Sequence, residues 1–272
     1  MATQKWVNPP VMYTIAQIRF NQILAMENYV PAIQEELRRI GFSGYRKDVI
    51  NALTISIGQP DGPQQILQPV SRHIFSNREN TSGFTLETNA LSFQTTDYNV
   101  FETFLKIFRD VLSIVHGKVS LDYIERIGVR YLDAVVPREG EEIEQYLTTE
   151  VLGMSNKVKT FKSPGKLVHS YTETVSSNEA AGSTLVAKVV IQNGKMSLPP
   201  EIAQVSYPIK EKFLAVNGPF AIIDTDGFKN TDQMPFDLEM VCQTLDDLHL
   251  EISESFKETA TALALKFWEF GD

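Results

Sequence analysis

One segment of this chain occurs twice. Ser92-Phe93-Gln94-Thr95-Thr96-Asp97-Tyr98-Asn99-Val100-Phe101-Glu102 returns as Gly227-Phe228-Lys229-Asn230-Thr231-Asp232-Gln233-Met234-Pro235-Phe236-Asp237, an offset of 135 positions in a chain of 272 residues. Four of the eleven positions are identical and a fifth exchanges Glu for Asp. Each copy lies where a short apolar strand pattern gives way to a polar Thr-Asp pair and then to a helical pattern, so the repeat reads as a duplicated strand–turn–helix unit. Two copies of one unit favour two similar layers of structure. The expected fold is α+β: two pseudo-repeated strand-helix-strands-helix halves, 1–118 and 119–272, packed as one globular body. The sheet should be mainly antiparallel, with a long amphipathic helix at the C-terminus.

Residue patterning supplies the elements. A loose N-terminus is expected to end at Pro9-Pro10. Tyr13 to Phe20 alternates apolar Ala16, Ile18 and Phe20 with Gln17 and Arg19, which is strand periodicity. Asn28 is a candidate cap for a helix carrying Val30, Ile33, Leu37 and Ile40, with Pro31 in its first turn and Gly41 at its end. Strands are predicted over Asn51–Ile57, Val70–Phe75, Phe84–Thr88 and Leu91–Thr95, with Gly58-Gln59-Pro60-Asp61-Gly62-Pro63 as a connecting turn. Asp97 should then cap a helix that Gly117 closes. In the second half Ile127, Val129 and Tyr131 alternate against Arg126 and Arg130, and Val129-Arg130-Tyr131 echoes Ile18-Arg19-Phe20. A helix over about Glu141–Val151 and strands near Lys166–Thr174, Thr184–Gln192 and Phe220–Asp224 follow. Leu198–Val216 carries several prolines and reads as irregular or lid-like. Leu238, Val241, Leu245, Leu248, Ile252, Phe256 and Leu263 form one long helical stripe.

Charge narrows the function classes. The formal net charge is −9, and the stretch from Asp224 to Glu258 alone holds ten acids against Lys229 and Lys257. Such a face repels phosphate backbones, so nucleic acid is not an expected partner there. Asp246, Asp247, Glu251, Glu254 and Glu258 of the predicted last helix form either a solvated surface or a docking face for a basic protein. One cysteine, Cys242, precludes an internal disulfide. No apolar leader and no run of transmembrane length is read, so a cytoplasmic protein without membrane contact is expected.

Chemistry is sparsely signalled. Phosphate-binding glycine loops, the nucleophile elbow and the paired-histidine zinc motif are all absent, and no cofactor is expected. Asp224 and Asp226, flanking Thr225 after an apolar strand, are candidate ligands for a hard divalent cation, or ordinary turn aspartates. Arg126 and Arg130 share a strand face, and Arg19 occupies the matching place in the first half. They are candidates to fork onto a carboxylate or phosphate ligand, or to pair with internal acids such as Glu87, Glu125 or Asp133. Lys157, Lys159, Lys162 and Lys166 suggest an exposed basic loop or, alternatively, a contact for phosphate or an acidic partner, and Cys242 a small core residue.

Ile18-Arg19-Phe20, the Leu91–Tyr98 strand and turn, Arg126–Tyr131, Ile222-Ile223-Asp224 and Leu245-Asp246-Asp247-Leu248-His249 occur in an order that resembles a sporadically distributed family of uncharacterised bacterial proteins of about this length. The resemblance spans nearly the whole chain. It implies no activity, cofactor or catalytic residue, and its distribution fits accessory genes, including defence systems. Two functions follow as expectations. The first is a non-catalytic binding or assembly protein acting through a protein partner or self-association. The other is a metal-dependent enzyme on a phosphorylated small molecule, with Asp224 and Asp226 on the ion.

Overall fold

In a computed structural model, described for residues 6–56, 64–163, 165–199, 202 and 207–270, nine strands form one sheet in the order β2-β3-β4-β5-β1-β6-β9-β8-β7. The strands are β1 Val11–Phe20, β2 Gly44–Ser56, β3 Gln64–Ser76, β4 Ser82–Leu86, β5 Ala90–Thr95, β6 Tyr123–Val135, β7 His169–Asn178, β8 Ser183–Lys195 and β9 Asn217–Pro235. Every neighbouring pair is antiparallel. The helices are α1 Met26–Arg39, α2 Phe101–Val119, α3 Thr149–Leu152, α4 Glu211–Leu214, α5 Leu238–Thr259 and α6 Ala262–Phe270. An α+β chain with a large antiparallel sheet is therefore observed.

The strand period of two decides which face each residue serves. Ala16, Ile18 and Phe20 of β1 and Ile127, Val129 and Tyr131 of β6 enter one core with the buried stripes of α1, α2 and α5. A second cluster joins Trp268 of α6 and Phe256 of α5 to Ala221 and Ile223 of β9 and to Tyr146 and Leu147. A third lies on the opposite face, where Met196, Ile202, Ile209 and Phe213 cover Tyr13, Leu132, Phe220 and Ile222. The described residues 196–199, 202 and 207–216 thus cover this face, and they are tied down by Lys210 Nζ to Asp97 (3.0 Å) and Lys212 Nζ to Asn8 (3.2 Å).

Several local expectations are corrected. Helix α1 begins at Met26 after Ala25, so Asn28 lies within it, and Pro31 sits beyond the first turn. Asp97 does not cap α2, which starts at Phe101 after Val100; its carboxylate holds Lys210 instead. Gly117 lies inside α2, and the helix ends at Ser120, which takes the left-handed conformation (φ 57°) usually given to glycine. The expected Glu141–Val151 helix is broken into 3₁₀ turns at Ile143–Gln145 and Gly153–Thr160 with only α3 between them. The stripe of α5 stops at Thr259, so Leu263 belongs to the separate helix α6 and is exposed. The N-terminus is docked from Trp6: Val7 and Asn8 donate to Glu269 and Trp268 carbonyls, and Trp6 stacks on Trp268. The Gly58–Pro63 turn lies outside the described residues.

The largest correction concerns β9. Asp224-Thr225-Asp226-Gly227 and Thr231-Asp232 are strand, not turn, with a kink at Gln233 (φ 48°), and Asp237 rather than Asp232 caps α5 by accepting from the Met240 amide. Gly227 is there for packing. A Cβ at this position would lie 3.1 Å from Ile252 Cδ1 of α5, so the bare strand lets the helix settle on the sheet. Gly227→Val is expected to destabilise the fold by about 1–3 kcal/mol through overpacking, measured by chemical denaturation, whereas the same change at open Gly218 leaves stability nearly unaltered.

Candidate functional site

The face of the sheet away from α1, α2 and α5 carries a polar trough with a cavity of about 230 Å³. Strand parity builds it. β1 contributes Tyr13, Ile15 and Gln17, β6 contributes Arg126, Gly128 and Arg130, and β9 contributes Asp226. Thus Arg126, Arg130, Asp224 and Asp226, separated in sequence by about a third of the chain, meet on one surface, and Arg19 stands opposite Arg126 in register.

The contacts lean along the strands rather than straight across. Arg130 is opposite Asp226, yet its guanidinium grips Asp224 with two parallel bonds, Nε to Oδ1 at 2.7 Å and Nη2 to Oδ2 at 2.6 Å. This fork–fork geometry is the strong form of the pair. Arg126 runs over Gly128, where a Cβ would meet its Nη1 at 3.1 Å, and reaches Asp226 at 3.6 Å while its charge lies 4.4 Å over the Phe228 ring. The two pairs differ in quality. Burial pushes the Asp226 carboxyl up, only partly offset by Arg126 and Arg130, and burial lowers the Arg126 guanidinium despite Asp226. The longer pair therefore recovers less of its desolvation cost than the bidentate one.

Further ion pairs extend the pattern to both sides. Arg72 donates to Glu87 at 2.7 Å, and Lys188 approaches Glu173 at 3.5 Å. Tyr13 donates to Gln94, whose amide reaches Thr85 at 3.4 Å, and Gln17 donates to Ser92 at 2.9 Å. Arg19 is exposed and has no ion-pair partner among the described residues; its charge disfavours that of Arg126 across the strand pair.

Arg126 and Arg130 do pair with internal acids, but with Asp226 and Asp224 rather than with Glu87, Glu125 or Asp133. Neither Glu125 nor Asp133 is bound by Arg126 or Arg130 among the described contacts: Asp133 lies on the helix-bearing face, and Glu87 is bound by Arg72. Alternation excludes Asp133 in the sequence itself, three residues from Arg130 on the same strand, whereas Glu125 sits where the register of β6 shifts between Ile124 and Arg126, so parity does not place it. Arg72, Lys188 and Glu173 give no such signal, since their arrival depends on which strands are neighbours. Among the described residues no group of three or more His, Cys, Asp or Glu side chains is disposed to hold a metal ion.

The other candidates are dispersed. Asp247, Glu254 and Glu258 are exposed on α5, while Glu251 is turned inward to accept from Ser183 Oγ (2.9 Å) and Asn178 Nδ2 (2.9 Å), and Asp246 is half-buried. Lys157, Lys162 and Lys166 are exposed. Cys242 is buried and unpaired, with its thiol pushed up by burial. No helix among the described residues is long and apolar enough to cross a membrane. No protein-family model matches this chain, and no curated protein matches it significantly.

The two arginine pairs should respond unequally to truncation. Arg130→Met strands a nearly buried Asp224 carboxylate and is expected to cost about 3 kcal/mol. Arg126→Met, at a longer and more exposed pair, is expected to cost about 1 kcal/mol or less. Urea denaturation of both variants measures the contrast.

Proposed function

We propose that this protein is a non-catalytic binding or assembly protein that works through protein–protein contacts on the outer face of α5. The carrying observation is a stripe at helical spacing, Met240, Asp247, Leu250, Glu254 and Glu258, in which Met240 and Leu250 are 49% and 55% exposed. Large apolar side chains framed by acids of one sign suit a partner with an apolar recess inside a basic rim. The same charge disfavours nucleic acid on this face. An accessory role, including one in defence, belongs to the same proposal and rests on the resemblance read in the sequence alone.

The metal-enzyme reading draws less support. The charge a divalent ion would neutralise at Asp224 and Asp226 is already met by Arg130 and Arg126, and phosphate would have to compete with those carboxylates for the same guanidinium groups.

The finer architecture belongs to the same proposal: the two halves derive from one duplicated unit. In each, the first strand (β1, β6) is central in the sheet, the last (β5, β9) pairs antiparallel beside it, and a long helix (α2, α5) follows. Arg19 stands opposite Ala90, and Arg130 opposite Asp226, one residue from the position the repeat alignment gives.

Two measurements test the functional reading. Immobilised wild-type protein should retain a partner from host extract that D247K/E254K/E258K, folded by circular dichroism, does not retain. Identical recoveries from both, or none with a monomer by light scattering, would reject the α5 face. Mg²⁺ or Mn²⁺ in excess should leave the thermal midpoint unmoved. A bound ion at 100 times its Kd would instead add about 2.7 kcal/mol, and loss of that gain in D224N/D226N would favour the enzyme.

A further inference from the structure

On the helix-bearing side of the sheet, a cavity of about 320 Å³ lies between the N-terminal segment, the start of α2, β6 and the second half of α5. Its size is that of a small-molecule site. Rings form much of its wall: Trp6, Tyr98, Phe101 and Phe256. Most polar groups here satisfy one another. His249 stacks on Phe101 at 4.0 Å, its Nδ1 lies 3.1 Å from the Tyr131 hydroxyl, and that hydroxyl lies 3.3 Å from the one on Tyr98.

Asp133 is the exception. It is the one carboxylate among the described lining residues, is 8% exposed, and has no side-chain hydrogen-bond or ion-pair partner among the described residues. Thr14 and Thr225, which flank Tyr131 in register on β1 and β9, also have buried hydroxyls without partners among the described residues. A buried carboxylate with nothing to pair with is costly, and the cost falls only when a proton or a cation joins it.

We propose that this cavity binds a small organic ammonium ion, its cationic head on the Asp133 carboxylate and its apolar body against the surrounding rings. Aromatic faces attract such a cation as well as its hydrocarbon part. An uncharged ligand would leave the carboxylate unmet, and an anionic one would add a second negative charge beside it. Among the described residues, the groups around Asp133 do not supply the missing charge. Tyr131 on β6, and Tyr98 and Glu102 at the start of α2, are neutral or acidic, and Asp224 on β9 repels it. On α5, burial lowers His249 to about 4, so it is neutral at physiological pH; Lys257 lines the cavity from its exposed side and is not among the charges acting on Asp133.

Burial, with Asp224 second, pushes Asp133 up to about 7. A raised carboxyl favours folding below its unfolded value near 3.8, and that advantage is lost as pH rises to about 7. The ligand-free protein is therefore penalised where Asp133 ionises, and an ammonium ion should bind best there.

Calorimetric titration with benzylamine, against benzyl alcohol and benzoate, tests this. Wild type should bind benzylamine about tenfold more tightly at about pH 8 than at about pH 6, as Asp133 ionises. D133N should bind it about ten- to a hundredfold more weakly at the higher pH, and benzyl alcohol and benzoate should bind far more weakly than the amine to wild type. In the wild-type protein, the Asp133 carboxyl, followed by carbon NMR, should titrate at lower pH when benzylamine is present. No binding at millimolar benzylamine, equal binding by a folded D133N, preference for benzoate, or an Asp133 titration indifferent to the amine would each overturn the proposal.

Discussion

The antiparallel ladder between β1 and β6 is the contact on which the rest of this molecule depends. It joins the β2-β3-β4-β5-β1 strands to the β6-β9-β8-β7 strands, with Tyr13 set against Leu132, Ile18 against Ile127 and Arg19 against Arg126. Because side chains alternate, this register assigns every residue of both strands to a face. A slip by one position would send Arg126 and Arg130 into the helix core and Ile127 and Val129 into solvent. Burying each large apolar side chain is worth about 1.5–3 kcal/mol, so the aligned set holds the register strongly.

Consecutive residues of β6 consequently meet opposite worlds. Arg130 and Leu132 serve the trough, while Tyr131 and Asp133 serve the helix side. Asp224 and Asp133 are neighbours in space, close enough for one to raise the proton affinity of the other, yet they differ in what surrounds them. Asp224 has a guanidinium in bidentate contact; Asp133 has aromatic rings and phenols. A pleated sheet one residue thick thus keeps an acid gripped by arginine and an acid with no partner among the described residues side by side on opposite faces.

The long reach of arginine and the absence of side chains at two glycines complete the arrangement. Gly128 lets Arg126 lie along the strand towards Asp226, and Gly227 lets α5 approach the other face. In both cases a missing Cβ admits a side chain from elsewhere, which is a packing role and not a turn. Asp224-Thr225-Asp226-Gly227 has turn composition, but β6 and β8 on either side offer backbone partners for the whole stretch, and the ladder outweighs local preference.

Period and parity made much of this chain readable: the alternation of β1 and β6, the stripe of α5, and the common face of Arg126 and Arg130 follow from spacing alone, since a strand repeats every two residues and a helix every 3.6. The same parity already separates Asp133 from those arginines. Helix ends were less legible, because Ser120 and Val100 occupy positions that local preference would give to glycine and to a polar cap. What only the tertiary structure decided is strand adjacency. Placing β9 beside β6 brings Asp224 to Arg130 across 94 residues, and folding α2, α5 and the N-terminal segment around β6 leaves Asp133 in a ring-lined cavity. Neither outcome is written in local spacing, because both arise from contacts between segments far apart in the chain, chosen by the burial of their shared apolar faces.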